Sequence, residues 1–271
     1  MIPLTEINAT AKKFKIPIST IEKDYIISWI LLSLIQNKFI GEKFIFYGGT
    51  AIKRIFFEGH RFSEDIDLLS CESFSLEELK KDIKVITYAA EEANIVLNIN
   101  HGRTTYKDNR VQMYIEYDGY EEITGVPKEI RIDLNMKMDS FGKVELKNII
   151  KSYSDVNSEE KIKVMSLNTI LANKLGLLTE LNRNEPRDIF DIWFLLNRRE
   201  QFNFNFSEVC ETFRQKYGYY PDLSVLKSGL NSYKVKKNWE IRLQDQISEL
   251  PKVDIVINAV EKELLLLFNR K

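Results

Sequence analysis

The chain has 271 residues, 39 basic against 40 acidic side chains, 44% hydrophobic residues and 29% charged ones. That is enough apolar material for one large or two small domains, and the near-zero net charge advertises no nucleic-acid partner for the chain as a whole. Cys71 and Cys210 are too few and too far apart for a disulfide framework or thiolate site, and His60 and His101 do not suggest a histidine-rich zinc site. These four residues are read as packing or surface positions.

Met1-Ile2-Pro3 leads into Thr5, Glu6 and Asn8 without a basic-then-apolar leader. The longest apolar stretch, Tyr25 to Ile35, is broken by Ser28 and Ser33 and falls short of the roughly 20 residues a bilayer span needs. A cytoplasmic protein with no membrane association is expected.

In chain order, Leu4 to Phe14 reads as a short amphipathic helix. Pro17 precedes Ser19 and Thr20, either of which suits the cap of a long helix carrying Ile21, Tyr25, Trp29, Leu32 and Ile35 along one stripe. The further apolar residues Ile27, Ile30, Leu31 and Leu34 predict that its middle is buried. Phe44-Ile45-Phe46-Tyr47 reads as a strand ending at Gly48-Gly49, followed by helical character over Thr50 to Phe57. A second strand is expected over Asp65 to Leu69 and a helix over Leu76 to Ala93. Strands are expected over Ile95 to Ile99, Val111 to Tyr117 and Glu129 to Met136, with turns at Gly102, Gly119 and Gly125-Val126-Pro127.

From about Val156 onward helical lengths dominate, over Leu167 to Leu181, Pro186 to Asn197, Phe206 to Tyr217 and Val253 to Phe268. The polar stretch Lys151 to Ser158 separates the two textures. The expectation is an α+β domain over residues 1–155 and an all-helical domain over 156–271. The densest basic segment, Lys227 to Arg242, interleaves Lys234, Lys236, Lys237 and Arg242 with Tyr233 and Trp239. A solvated helix face with its aromatics turned inward is the plain reading of it.

The informative stretch runs from Tyr47-Gly48-Gly49-Thr50-Ala51 to Arg61-Phe62-Ser63-Glu64-Asp65-Ile66-Asp67-Leu68. Glycines that close a strand and open a helix let backbone N–H groups face an anion, and a side chain there would block a triphosphate. The Thr50 hydroxyl adds a donor, and Lys53 and Arg54, one turn on, are candidates to reach phosphate. Asp65 and Asp67 are two apart on a strand, so both project from one face while Ile66 and Leu68 enter the core. Two adjacent carboxylates repel unless a cation sits between them, and oxygen-only ligands favour Mg²⁺ or Mn²⁺ over zinc. Asp133, within Ile130-Arg131-Ile132-Asp133-Leu134-Asn135, suits a third metal ligand or a base that deprotonates an attacking hydroxyl. With 40 acids in 271 residues, chance alone supplies roughly six acidic-x-acidic pairs. The bare pair therefore says little, and the strand–Gly-Gly–helix element before it carries the weight. Edge-strand aspartates facing water remain the plain structural alternative.

Phe46-Tyr47-Gly48-Gly49-Thr50-Ala51-Ile52 followed by Arg61-Phe62-Ser63-Glu64-Asp65-Ile66-Asp67-Leu68 resembles the signature of the AbiEii/AbiGii nucleotidyltransferase toxins of type IV toxin–antitoxin systems. These belong to the DNA polymerase beta-like nucleotidyltransferase superfamily. Ile21-Glu22-Lys23-Asp24-Tyr25 resembles that family's N-terminal helix motif, and Lys174 with Pro186-Arg187-Asp188-Ile189-Phe190-Asp191 its lysine and Arg-Asp-x-x-Asp motif.

The resemblance implies a mixed β-sheet with flanking helices followed by a helical domain. It implies that Gly48, Gly49 and Thr50 bind the nucleoside triphosphate, with Thr50 in place of the superfamily's serine. Asp65 and Asp67 would hold the metals, with Asp133 as the third carboxylate. Lys174 would contact the triphosphate or its base, and Arg187, Asp188 and Asp191 would complete the site. Read on spacing alone, Arg187 and Asp191 share a helix face as an ordinary intrahelical pair, and Lys174 is a snorkelling lysine. The implied activity is metal-dependent transfer of a nucleotide from an NTP to an acceptor hydroxyl, with the 3′ end of tRNA as acceptor and a cognate antitoxin as protein partner. A nucleotidyltransferase acting on a small molecule such as an antibiotic, and a catalytically silent nucleotide-binding module, are the alternatives.

Overall fold

The computed structural model describes residues 1–72, 75–83, 88–107, 109–120, 128–136, 142–157, 159–180, 183 and 185–269. The turn expected at Gly125-Val126-Pro127 and the helix end expected at Leu181 lie outside the described residues. The chain divides into two compact units, one of Met1–Ser140 with Val144–Val164, the other of Phe141–Lys143 with Met165–Lys271.

The first unit opens with α1 (Leu4–Phe14) and α2 (Ile18–Gln36). Helix α2 starts before Ser19 and Thr20, so neither caps it as the sequence suggested. Pro17 occupies the cap position, and its carbonyl accepts from the N–H groups of Thr20 and Ile21. Every residue of α2 from Asp24 to Leu34 is buried, which makes it a core helix rather than a surface one.

Helix α3 (Lys38–Lys43) leads into β1 (Phe44–Tyr47), and the glycines begin α4 (Gly48–Ala51), which continues as a π-helical turn over Ile52–Phe56. Strand β2 (Asp65–Ser70) follows, then α5 (Leu76–Asp82) and α6 (Tyr88–Glu92). A capping box between Ser75 and Glu78 starts α5. The remaining strands are β3 (Leu97–Ile99), β4 (Thr105–Lys107), β5 (Arg110–Tyr117), β6 (Glu129–Asn135), β7 (Val144–Asn148) and β8 (Lys161–Met165).

The strands form one mixed sheet in the order β3-β5-β6-β2-β1-β8-β7, with β4 beside β5. Strand β2 runs antiparallel to β1 and parallel to β6, and β8 runs parallel to β1. One face is apolar: Ile66, Ile132, Leu134, Val111, Met113 and Ile115 are completely buried. The opposite face carries Asp65 and Asp67 on β2, Arg131 and Asp133 on β6, and Gln112 and Tyr114 on β5, because the pairing sets these residues side by side. Strands β4, β7 and β8 were not anticipated. Strand β8 falls in the region where helical lengths dominate, yet its alternation of Lys161 and Lys163 with buried Ile162 and Val164 has a period of two, and Val164 pairs with Phe46 of β1.

A buried polar network ties α2 to the rest of this unit. Arg54, in the π-helical turn, is fully buried; its Nη1 meets Asp24 Oδ2 at 3.3 Å, and its Nη2 donates to Ser28 Oγ at 2.6 Å and to the Ile150 carbonyl at 3.4 Å. Asp24 also accepts from the Tyr153 hydroxyl at 2.8 Å. Burial, and then the nearby Asp24 charge, push the Tyr153 phenol well above its ordinary value, so it remains a donor. Beside it Tyr25 donates to Asp155 at 2.7 Å, and Glu22 holds Lys128 at 3.0 Å and the Tyr120 N–H at 2.8 Å.

The second unit contains α7 (Leu167–Leu178), α8 (Pro186–Asn197), α9 (Phe206–Tyr217), α10 (Leu223–Leu230), α11 (Tyr233–Leu243) and α12 (Val253–Phe268). Their starts follow capping chemistry: Ser166, Asn205 and Asp222 each accept from a first-turn N–H, and Pro186 occupies the first turn of α8. Gly229 lets α10 approach the end of α7, since a Cβ there would overlap the Leu178 carbonyl. No helix among the described residues is long and apolar enough to cross a membrane.

Removing one partner of a buried ion pair strands the other charge. Arg54→Ala and Asp24→Ala are each expected to cost about 3–5 kcal/mol in urea denaturation. The double variant should cost less than the sum of the two.

Candidate active site

In the first unit, the in-register parallel pairing of β2 with β6 sets Asp67 beside Asp133 and Asp65 beside Arg131. Residues paired across a sheet project from the same face, so three carboxylates and one guanidinium lie together. Arg131 Nη2 donates to Asp65 Oδ2 at 2.6 Å, and its Nε lies 3.2 Å from Asp133 Oδ2. Burial works against the Arg131 charge, but Asp65, Asp133 and Asp67 together outweigh it and raise its pKa above the usual arginine value. On the far side of Asp133, Gln112 Nε2 donates to its Oδ1 at 3.0 Å, and the Tyr114 hydroxyl donates to Gln112 Oε1 at 3.1 Å. Asp133 is buried, whereas Asp65 and Asp67 are half-buried.

The glycine turn abuts this row from β1. Tyr47 pairs with Asp67, and the next residue, Gly48, has φ +84°, a left-handed conformation that disfavours any side chain. A Cβ on Gly48 would overlap the Asp67 carboxylate, so the glycine is what lets that carboxylate lie against the turn. Gly49 and Thr50 are buried directly behind it. The Thr50 hydroxyl donates to the Asp65 backbone carbonyl, which fastens the turn to the carboxylate strand.

Lys53 and Arg54 are both buried. Lys53 Nζ donates to the carbonyls of Glu58 at 2.9 Å and His60 at 3.4 Å and sits 3.8 Å from the centre of the Phe62 ring. Burial lowers its pKa. The structure thus places Lys53 with the loop before β2, although it was read as a nucleotide ligand. Arg54 belongs to the α2 network.

The second unit has its own charged cluster. Lys174 on α7 is buried, with its Nζ 2.5 Å from Asp188 Oδ1 and 2.7 Å from Asp191 Oδ2, both on α8. Asp191 has no exposed surface, and Arg183 Nε approaches Asp188 Oδ2 at 3.5 Å. Lys174 is therefore a paired interior cation and no snorkelling lysine. Arg187, half-buried on α8, neighbours the cluster in sequence. Reading the sequence missed Arg131, Gln112 and Arg183. The alternation of Ile130-Arg131-Ile132-Asp133 carried a signal for Arg131, since it puts both charges on one face.

The family model for the nucleotidyltransferase AbiEii toxin of type IV toxin–antitoxin systems matches residues 29–261. The chain belongs to the AbiEii family. Two solved structures share its fold. MenT4, a nucleotidyltransferase toxin from Mycobacterium tuberculosis H37Rv, is 14% identical with a TM-score of 0.64, over 99% of this chain and 90% of that one. JHP933 from Helicobacter pylori is 17% identical with a TM-score of 0.57, over 89% and 90% of the two chains. No curated protein matches the chain by sequence at a significant level.

Membership in the AbiEii family makes the protein a nucleotidyltransferase, with an NTP as substrate and an antitoxin as partner, and enzymes of this kind use a divalent metal. The donor chemistry of Asp65 and Asp67, two carboxylates on one strand face, suits such a hard cation. Among the described residues no three histidine, cysteine or acidic groups converge as a ready-made metal site.

Two outcomes follow from this geometry. Gly48→Ala should lower stability by about 1–2 kcal/mol from backbone strain alone, and more through the overlap with Asp67, measurable as a reduced melting temperature. Lys174→Ala leaves Asp191 buried without its cation and should cost about 3–5 kcal/mol in urea denaturation, whereas Lys234→Ala, at an exposed position, should fall within about 0.5 kcal/mol of the wild type.

Proposed function

We propose that this AbiEii-family protein transfers a nucleoside monophosphate from an NTP to an acceptor hydroxyl. The acceptor hydroxyl gives up its proton to solvent, its oxygen forms a bond to the α-phosphorus, the bond from that phosphorus to the bridging oxygen breaks, and pyrophosphate departs. The reading rests on one observation: Asp65, Asp67 and Asp133 share a sheet face against the Gly48 turn. Asp65 and Asp67 are proposed to hold Mg²⁺ or Mn²⁺, with Asp133 as the third carboxylate. When bound, the metal neutralises charge on the entering and leaving oxygens.

Gly48 and Gly49 are proposed to admit the phosphates, with Thr50 holding the turn in register with β2. Lys174, Arg187, Asp188 and Asp191 are proposed as functional residues of the helical unit. In that role Lys174 would bring one positive charge to phosphate or base, with Asp188 and Asp191 fixing its position.

The acceptor we propose is the 3′ end of tRNA. In support, α11 exposes Tyr233, Lys234, Lys236 and Lys237 on its outer side while Val235, Trp239 and Leu243 face inward. Lys236 pairs with Asp254 at 3.1 Å and Arg242 with Glu185 at 3.4 Å; both are surface pairs that phosphate can replace at little cost. Should this segment neutralise about four phosphates, affinity for tRNA would fall roughly a hundredfold between about 50 and 200 mM salt.

The test is incubation of the purified protein with Mg²⁺, each of the four α-³²P-labelled NTPs and total tRNA, beside an Asp65→Ala/Asp67→Ala control. Label on tRNA with the wild type alone is expected and names the nucleotide. NTP binding without label on any RNA would sink the tRNA reading in favour of a small-molecule acceptor or a catalytically silent nucleotide-binding module.

A further inference from the structure

Among the described residues, the sheet face described above carries three carboxylates and one guanidinium. Arg131 touches two of the carboxylates from two different nitrogens, Nη2 to Asp65 and Nε to Asp133, and so bridges β2 and β6 across the sheet. A guanidinium sets these nitrogens in a rigid fork that a lysine cannot reproduce; here Nη2 makes the hydrogen bond and Nε only an ion-pair contact. Gln112 completes the hold on Asp133 from β5, but Asp67 lies against the glycine turn on the other side of the row.

The Arg131 side chain remains 38% exposed and that of Asp65 29% exposed, so their contact borders solvent. An ion pair at such a place is weak enough to open. The Asp133 side chain, 10% exposed and held by Gln112 as well, is the firmer anchor.

We propose that Arg131 is the resident counter-ion of the carboxylate row: it neutralises Asp65 and Asp133 when no metal is bound and gives up Asp65 when a divalent cation enters. Arg131 is thereby a positioning residue that sets how tightly the enzyme binds its metal. It competes for Asp65, and its positive charge repels the incoming ion. This inference rests on the reading that Asp65 and Asp67 bind the metal.

Mn²⁺ binding to the full chain, followed by the EPR signal of free Mn²⁺, tests the exchange directly without reference to activity. Arg131→Gln is expected to bind Mn²⁺ about two- to fivefold more tightly than the wild type, the range for removing one competing, partly exposed charge contact. In EDTA the same variant should melt at a lower temperature, with Mn²⁺ restoring more of the loss than it adds to the wild type. Arg131→Lys keeps the charge without the fork; it should fold where Arg131→Gln does not and should bind Mn²⁺ between the other two.

A residue that merely supported the fold would weaken metal binding when replaced. Equal or weaker Mn²⁺ affinity in both variants would therefore overturn the exchange. An Asp65→Asn/Asp67→Asn protein separates the two readings. If Mn²⁺ binds the wild type but not this variant while Arg131 has no influence, only the exchange fails. If Mn²⁺ binding is indifferent to Asp65 and Asp67, the metal assignment fails and takes the exchange with it.

Discussion

Mutual repulsion among Asp65, Asp67 and Asp133 is the constraint on which the carboxylate-bearing face of the first unit depends. Three carboxylates on neighbouring strands destabilise one another unless cations or donors share their charge. The protein answers with Arg131 between Asp65 and Asp133, Gln112 on the remaining Asp133 oxygen, and a glycine where Asp67 needs room. Clustered charge of this kind costs folding energy and contributes nothing to a core. Its presence on an otherwise well-packed sheet is an argument for function.

The row is held in place by a second set of buried polar contacts. Arg54 follows the glycine turn by one helical turn, and its guanidinium is fixed by Asp24 and Ser28 on α2 and by the Ile150 carbonyl. Thr50 is tied to Asp65 through the backbone. The turn is thus gripped from the carboxylate strand on one side and from the core helix on the other. Preorganised donors and acceptors of this type hold a site rigid because any shift would leave a buried polar group without its partner. The motif Glu22-Lys23-Asp24-Tyr25 is explained by this scaffold: Asp24 serves Arg54, Tyr25 serves Asp155 and Glu22 serves Lys128.

The helical unit repeats the same economy on a smaller scale. A lysine and two aspartates from facing helices are buried together, which is tolerable because each charge lies within 3 Å of an opposite one. Pro186 and Ser166 start the two helices that carry them, so ordinary capping chemistry fixes the height of Lys174 against Asp188 and Asp191.

Sequence alone determined the elements whose signals are local. The strand Phe44–Tyr47, the helices Pro186–Asn197, Phe206–Tyr217 and Val253–Phe268, and the shared face of Asp65 and Asp67 follow from periodicity, caps and strand alternation. The membership of the chain in a nucleotidyltransferase family was legible from its glycines and aspartates in order. Tertiary structure decided what depends on residues distant in sequence. Strand β8 was obscured because five residues of alternating pattern carry little information until Phe46 pairs with Val164. Arg131 gained its place only when β6 paired with β2 in the register that sets it beside Asp65. Lys53 and Arg54 carried charges that suggested phosphate, yet both are interior: the Glu58 and His60 carbonyls take up Lys53, and Asp24 and Ser28 of α2 take up Arg54. Periodicity reports which face a side chain lies on; only packing decides which partner meets it there.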